Sequence, residues 1–370
     1  MKRILQIVGG MNRAGAETML MNLYRNIDRN KYQFDFVYFT YDKCDYDEEI
    51  RSMGGRIFTT QRFKGEEVSV FKRAMRLREI INDNASFHAV HSHTLFSSSF
   101  HLGVAKFCNI SKRIAHSHNT NDVNSTTFIG RLYQKFSRLL IHCFATDFIA
   151  CGEAASKYLF LSSDSEKVLF LPNAIDLDKF TLKKEHKIQL ELGLGFHKKM
   201  VLQIGRLSQV KNFEFTIKLA SYLKTIGNDD FHFIFVGQGP DLEKLKKLRE
   251  DLKVNDLITF LGVRGDIPNL FANSDIMLMP SYHEGFPVVL VEAQAAGLPS
   301  VISTNISREV DLGINLVSFC SLEQDYKEWI IQMEIGLNNK NEDVDFLKQI
   351  LTKKGFSVIE SAVKLQKLYA

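Results

Sequence analysis

The chain has 370 residues, 45% hydrophobic and 24% charged, with a formal net charge of +4. Such a mixture belongs to a globular protein long enough for two domains with full cores, and it lacks the dense basic patch of a nucleic-acid binder. The charge is uneven: residues 1–172 hold 23 Lys+Arg against 17 Asp+Glu, and residues 173–370 hold 24 against 26, so the halves stand at +6 and −2. The two halves are thus expected to meet different partners, with an anionic surface a candidate for the first.

Met1-Lys-Arg-Ile-Leu-Gln-Ile-Val reads as a first β-strand, because its apolar stretch is too short for a signal peptide. No window approaches 18 uninterrupted apolar residues, so no membrane-spanning helix is expected. The five cysteines, at 44, 108, 143, 151 and 320, form no CxxC pair and no metal-like spacing. They suit the reduced thiols of a cytoplasmic protein. Further apolar strands are expected at 34–39, 89–91, 113–115, 148–150, 168–171, 200–204, 232–236, 258–260, 276–279 and 300–303. Helical patterns at 17–27, 68–81, 213–225 and 242–252 lie between them. This alternation predicts an α/β chain of doubly wound parallel sheets.

The loop after the first strand, Gly9-Gly10-Met-Asn-Arg-Ala-Gly15-Ala16-Glu17, leads into a helix and could seat an anion. Its spacing is not GxGxxG, and no acidic residue closes the second strand, which disfavours a dehydrogenase. His91 and His93 alternate to one side of an extended segment. As a metal pair they lack a third ligand, so no metal is expected, and lining or packing is their reading. Arg113-Ile-Ala-His116-Ser-His118-Asn119 places two more imidazoles after a strand. Across Thr126–Cys143, Phe128, Leu132, Phe136, Leu139 and Cys143 share a helical face, flanked by Arg131, Lys135, Arg138 and His142. The pattern fits an interfacial helix on anionic lipid, or equally an amphipathic helix packed in its domain.

Leu171-Pro172-Asn173-Ala174-Ile175-Asp176 is the domain boundary, separating residues 1–173 from 174–354. A last helix in 355–370 is expected to return to the first domain. The second cycle opens with Gly205-Arg206 and Lys211, two cations that could grip phosphate oxygens. Gly237 and the Gly262-Val263 turn could admit a base against the backbone. Pro280-Ser-Tyr-His-Glu284-Gly-Phe-Pro287-Val-Val-Leu-Val-Glu292-Ala-Gln-Ala-Ala-Gly297 says most. Pro287 suits a first helical position and Gly297 the residue past the helix end. The helix tip between the two carboxylates is a place for a diphosphate, with Glu292 about 7 Å along, the reach to a ribose.

Gly15-Ala16-Glu17, His91-Ser92-His93, Pro172-Asn173, Gly205-Arg206 with Lys211, and Glu284 with Glu292 occur in order over nearly the whole chain. Together they resemble the retaining glycosyltransferases of family 4, in particular bacterial capsule and exopolysaccharide enzymes. Ala174 departs from the family pattern in its turn. The resemblance implies a GT-B fold, two Rossmann-like domains facing each other across a cleft. It implies that Arg206 and Lys211 hold the donor pyrophosphate and Glu292 the ribose, with Glu284 beside the sugar. Gly15, Gly285, Phe286 and Val288 would line phosphates and sugar, with Gly237 and Val263 near the base. An active-site histidine is implied after a first-domain strand, His116 before His118, with His93, Glu17 and Asn119 lining the acceptor side. The implied donor is a UDP-sugar, the acceptor a lipid-linked glycan, with no cofactor and no metal. A UDP-sugar epimerase and an inactive binding subunit on the same fold are the alternatives.

Overall fold

The computed structural model describes residues 1–13, 15–84, 86–118 and 127–370, and the chain divides into two units. Unit 1 comprises Met1–Ile175 with Gly355–Ala370, and unit 2 comprises Asp176–Lys354. In chain order, unit 1 contains β1 (Lys2–Ile7), α1 (Gly15–Asn26), β2 (Tyr32–Tyr38), α2 (Asp47–Ser52), β3 (Ile57–Thr59), α3 (Val70–Asp83) and β4 (Ala89–Ser92). It continues with α4 (Ser98–Phe107), β5 (Lys112–Ser117), α5 (Phe128–Phe144), β6 (Asp147–Ala150), α6 (Glu153–Leu159) and β7 (Val168–Phe170). Unit 2 holds α7 (Lys187–Glu191), β8 (Lys199–Ile204), α8 (Phe213–Thr225), β9 (Phe231–Val236), α9 (Leu242–Asp251), β10 (Ile258–Gly262) and α10 (Ile267–Asn273). There follow β11 (Ile276–Met279), α11 (Val288–Ala295), β12 (Ser300–Ser303), β13 (Val317–Cys320), α12 (Tyr326–Leu337) and α13 (Val344–Lys353), and the closing helix α14 (Val358–Tyr369) belongs to unit 1.

All strand pairs among the described residues are parallel. The unit 1 sheet runs β3-β2-β1-β4-β5-β6-β7 and the unit 2 sheet β10-β9-β8-β11-β12-β13. Every strand expected from an apolar run forms. The two that the sequence did not announce, β3 and β13, lie at sheet edges. Their residues are mostly half-buried, so they carry no unbroken apolar signal.

Unit 1 is two-sided. One face buries Ile4, Phe34, Phe36, Ile114 and Ile149 with Met19, Met21 and Tyr24 of α1, and takes α14 through Val358, Leu365 and Tyr369. The other buries Leu5, Ile7, Val90 and Ala115 under α3, α4 and α5. In unit 2, Phe213, Ile217 and Leu223 of α8 and Trp329 of α12 close on Phe231, Phe233 and Phe235 of β9. Such dense aromatic burial, with each large ring removing well over 100 Å² from water, fixes the strand ends where loops converge.

Candidate functional site

In an open parallel sheet a crevice forms where strand order reverses, beyond the carboxyl ends of the strands. In unit 2 that place lies between β8 and β11, since β9 follows β8 outward on one side and β11 returns to the other. The loop after β8 and the loop after β11 are tied to each other there. Tyr282 N–H donates to the Val210 carbonyl at 2.9 Å, and Asn212 Nδ2 donates to the Pro280 carbonyl at 3.0 Å. Lys211 Nζ donates to Glu284 Oε1 at 2.5 Å, both side chains being largely shielded. Gln203, itself held by Thr216, donates to the Lys211 carbonyl at 3.0 Å. The cation and the carboxylate therefore stand as a positioned pair rather than as loose surface charges.

Arg206, in the same loop, is exposed; its carbonyl accepts from the Ser208 hydroxyl at 3.4 Å, but its guanidinium makes no hydrogen bond or ion pair among the described residues. Its guanidinium is a fork of donors without an internal acceptor. Pro287 caps α11 with extended backbone (φ −72°, ψ 108°) instead of occupying the first helical position, and no side chain closes the helix start. The expectation for Pro287 is thus corrected by one residue. The cause is that the Pro ring fixes φ but leaves ψ free to turn the chain in. Gly297, at φ 66°, stands just past the helix end as expected. Val288 is the first helical residue, with Gly285 and Phe286 in the preceding loop.

Glu292, just beyond the first turn of α11, is mostly buried, and burial pushes its carboxyl up to about 7. No ion pair to it exists among the described residues. A carboxyl held near neutrality beside an open helix tip can accept hydroxyl hydrogen bonds once ionised. Gly237 has a reason internal to the loops: at φ 134°, a Cβ there would run into the Gly205 carbonyl oxygen. Val263, beyond β10, is 57% exposed.

Unit 1 has its own reversal, between β1 and β4. Gly15 opens α1 in open space, and the Glu17 carboxyl beside it is raised by burial. Parallel pairing of β4 with β5 sets His91 opposite Ile114, two residues before His116. Four imidazoles are gathered by this register: ring centroids lie 4.3 Å apart for His91–His93, 5.1 Å for His93–His116, 5.1 Å for His93–His118 and 3.9 Å for His116–His118. His91 Nε2 is 3.2 Å from His116 Nδ1, and His93 Nδ1 is 2.8 Å from His118 Nε2. The outer nitrogens are held too, His91 Nδ1 by the Tyr369 hydroxyl at 2.7 Å and His93 Nε2 by Gln6 Oε1 at 2.9 Å. Burial keeps all four rings from protonating, His91 at about 3 and His118 at about 4. His116 Nε2 is buried without a hydrogen-bond partner, and the Asn173 side chain faces His118.

This cluster corrects the premise that His91 and His93 lack a third ligand, for His116 brings a nitrogen to them from the next strand. Gln6 and Tyr369 were not legible as participants, because their positions depend on β1 pairing and on where α14 ends. Asn119 lies outside the described residues, as does Thr126.

Helix α5 buries only Ser137 and Ile141. Phe128, Leu132 and Phe136 are 83%, 60% and 56% exposed, and Leu139 and Cys143 are also open. Half of the cationic stripe is committed internally: Arg138 donates to the Tyr158 carbonyl at 2.6 Å, and His142 pairs with Asp164 at 2.7 Å. Arg131 and Lys135 remain exposed and unpaired among the described residues. No described helix is long and apolar enough to cross a membrane.

Residues 13–179 match the model of Glycosyltransferase Family 4, and residues 186–314 that of Glycosyl transferases group 1. The chain is 36% identical to the putative glycosyltransferase EpsF of Bacillus subtilis over 372 aligned residues, covering 100% of this chain and 96% of that one. It is 29% identical over 227 residues to the UDP-Gal:alpha-D-GlcNAc-diphosphoundecaprenol alpha-1,3-galactosyltransferase of Escherichia coli, covering 56% of this chain and 54% of that one. Anabaena HepE, crystallised with UDP, superposes with a TM-score of 0.77 at 17% identity over 99% of both chains, a likeness of GT-B fold.

Proposed function

The chain belongs to the family 4 and group 1 glycosyltransferases, and from that premise we propose that it moves a sugar from a UDP-sugar to a growing lipid-linked glycan of a surface polysaccharide. Transfer retains the anomeric configuration and uses no metal in the chemical step. One observation carries the donor assignment: the crevice between β8 and β11, where the Lys211–Glu284 pair, uncommitted Arg206, the uncapped start of α11 and Glu292 follow one another. The E. coli relative's UDP-linked donor and diphosphoundecaprenol acceptor support the substrate classes.

In this reading Arg206 grips the diphosphate through its planar fork and Lys211 adds a point charge. The backbone around Gly285, Phe286 and Val288 cradles the oxygens at the positive end of α11. Ionised Glu292 accepts the ribose hydroxyls, and Glu284, by holding Lys211, stands on the sugar side. As the bond from the anomeric carbon to the diphosphate oxygen breaks, its electron pair leaves with the diphosphate. The same cations stabilise that growing charge. The acceptor hydroxyl oxygen bonds the carbon, and its proton passes to the departing diphosphate. Of the two unit 1 imidazoles the family resemblance implicates, His116 has no exposed surface and His118 keeps some, so His118 is the catalytic candidate. The open apolar face of α5, with Arg131 and Lys135 beside it, rests on anionic lipid where such acceptors reside.

Incubation with a panel of UDP-sugars and an undecaprenyl-diphosphate glycan tests the reading. Acceptor-dependent sugar transfer is expected. Conversion of a UDP-sugar to its epimer without acceptor would replace it with an isomerase, and silence toward all donors with a binding subunit.

A further inference from the structure

We propose that His91, His93 and His116 form a site for a divalent transition metal of the zinc class in unit 1. Each of the three offers one nitrogen, and the three lie within 4.8 Å of one another. Zinc–imidazole bonds of about 2.0–2.1 Å at a tetrahedral angle set neighbouring ligand nitrogens about 3.3 Å apart. His91 Nε2 and His116 Nδ1 are 3.2 Å apart. That separation also serves a hydrogen bond, so the outer shell must decide between the two readings.

Metal-bound histidines characteristically hold their second nitrogen on an oxygen that fixes ring and tautomer. His91 does so through Nδ1 on the Tyr369 hydroxyl, and His93 through Nε2 on Gln6 Oε1. Gln6 Nε2 in turn donates to the Tyr369 hydroxyl at 3.2 Å, so the two supports are one unit. The inner nitrogens of His91 and His93 are left aimed at the other imidazoles. His118 Nε2, 2.8 Å from His93 Nδ1, borders the fourth position. His116, whose Nε2 has no hydrogen-bond partner, is the one ring of the three without such an outer support. The supports reach the site from β1 and from the last turn of α14, so a bound metal clamps the end of the chain onto the unit 1 sheet.

Full-length protein stripped with chelator is titrated with Co²⁺ followed by absorption, and with Zn²⁺ followed by thermal unfolding. The expected result is one equivalent bound, a tetrahedral Co²⁺ spectrum with nitrogen ligation, and a zinc-dependent rise in Tm. Tyr369→Phe, which keeps the ligands, weakens binding about tenfold. His91→Gln and His93→Gln abolish it, while His197→Gln, at an exposed position of unit 2, binds as the parent does. Failure of the parent to bind either ion overturns the proposal. So does binding that His91→Gln and His93→Gln leave unchanged, which would place the ion on surface histidines.

Discussion

Both units carry a parallel sheet whose order reverses beside its first strand, yet they furnish the reversal with opposite chemistry. Unit 2 brings a paired Lys211 and Glu284, an uncommitted Arg206 and a half-ionisable Glu292 to loops shaped by glycines. Unit 1 brings imidazoles that burial keeps uncharged. Topology decides where a site can be, and the residues at the strand ends decide what it binds. A crevice of fixed charges and an open helix tip suits a diphosphate, whereas a neutral nitrogen-lined wall suits a sugar, a hydroxyl or a soft metal.

The sharpest way to break this comparison is to remove the uncommitted cation. Arg206→Ala should lower transfer by roughly 10²–10³-fold, about 3 kcal/mol on the barrier, with the fold intact. An unchanged turnover in the presence of saturating donor would contradict the assignment of the diphosphate to unit 2.

The two units should also answer pH in opposite senses. Burial raises Glu292 from 4.5 to about 7, so between those values the folded chain holds a proton that the unfolded chain has released. Stability from this group is full below 4.5 and is lost as pH rises through 7. Glu292→Gln is expected to gain about 2 kcal/mol over the parent at pH 8, allowing for partial exposure, and little at pH 4.5. In unit 1, His101, packed against Thr94 and Phe39, is pushed down from 6.5 to about 3, chiefly by burial and secondarily by Arg73. Its contribution is present above pH 6.5 and is lost as pH falls toward 3. His101→Gln should therefore flatten the acid limb, by about 2 kcal/mol at pH 5 relative to pH 7.5. Urea titrations of both variants across this range check the two signs, and parallel curves would remove the contrast.

The smallest effect concerns α5. Leu132→Glu with Phe136→Glu should lower binding to phosphatidylglycerol vesicles and leave Tm unchanged, since both side chains are exposed. Arg131→Glu should cost about 1 kcal/mol of the same binding and reduce its salt dependence. Cosedimentation equal to that of the parent would show that lipid does not cover this face.

Much of this was readable in the sequence because it rests on local signals. Apolar runs marked the inner strands, and the Glu284–Gly297 spacing marked a loop, a helix and its end. The edge strands β3 and β13 escaped because they are short and only half-buried. The histidine cluster was half-visible: alternation put His91 and His93 on one side, but the register of β4 against β5 supplies His116 and His118. Tyr369 and Gln6 enter through tertiary packing, which no spacing encodes. The exposure of α5 was undecidable for a related reason, since its apolar face reads the same whether or not something covers it.

The most direct test of the account is calorimetric titration of the full chain with UDP. The account predicts one UDP per chain, with affinity lowered at least tenfold in Arg206→Ala and left unchanged in His91→Gln, since charge-assisted grips on phosphate are worth about 1.5–3 kcal/mol each. No measurable binding, or equal binding by the parent and Arg206→Ala, would contradict it.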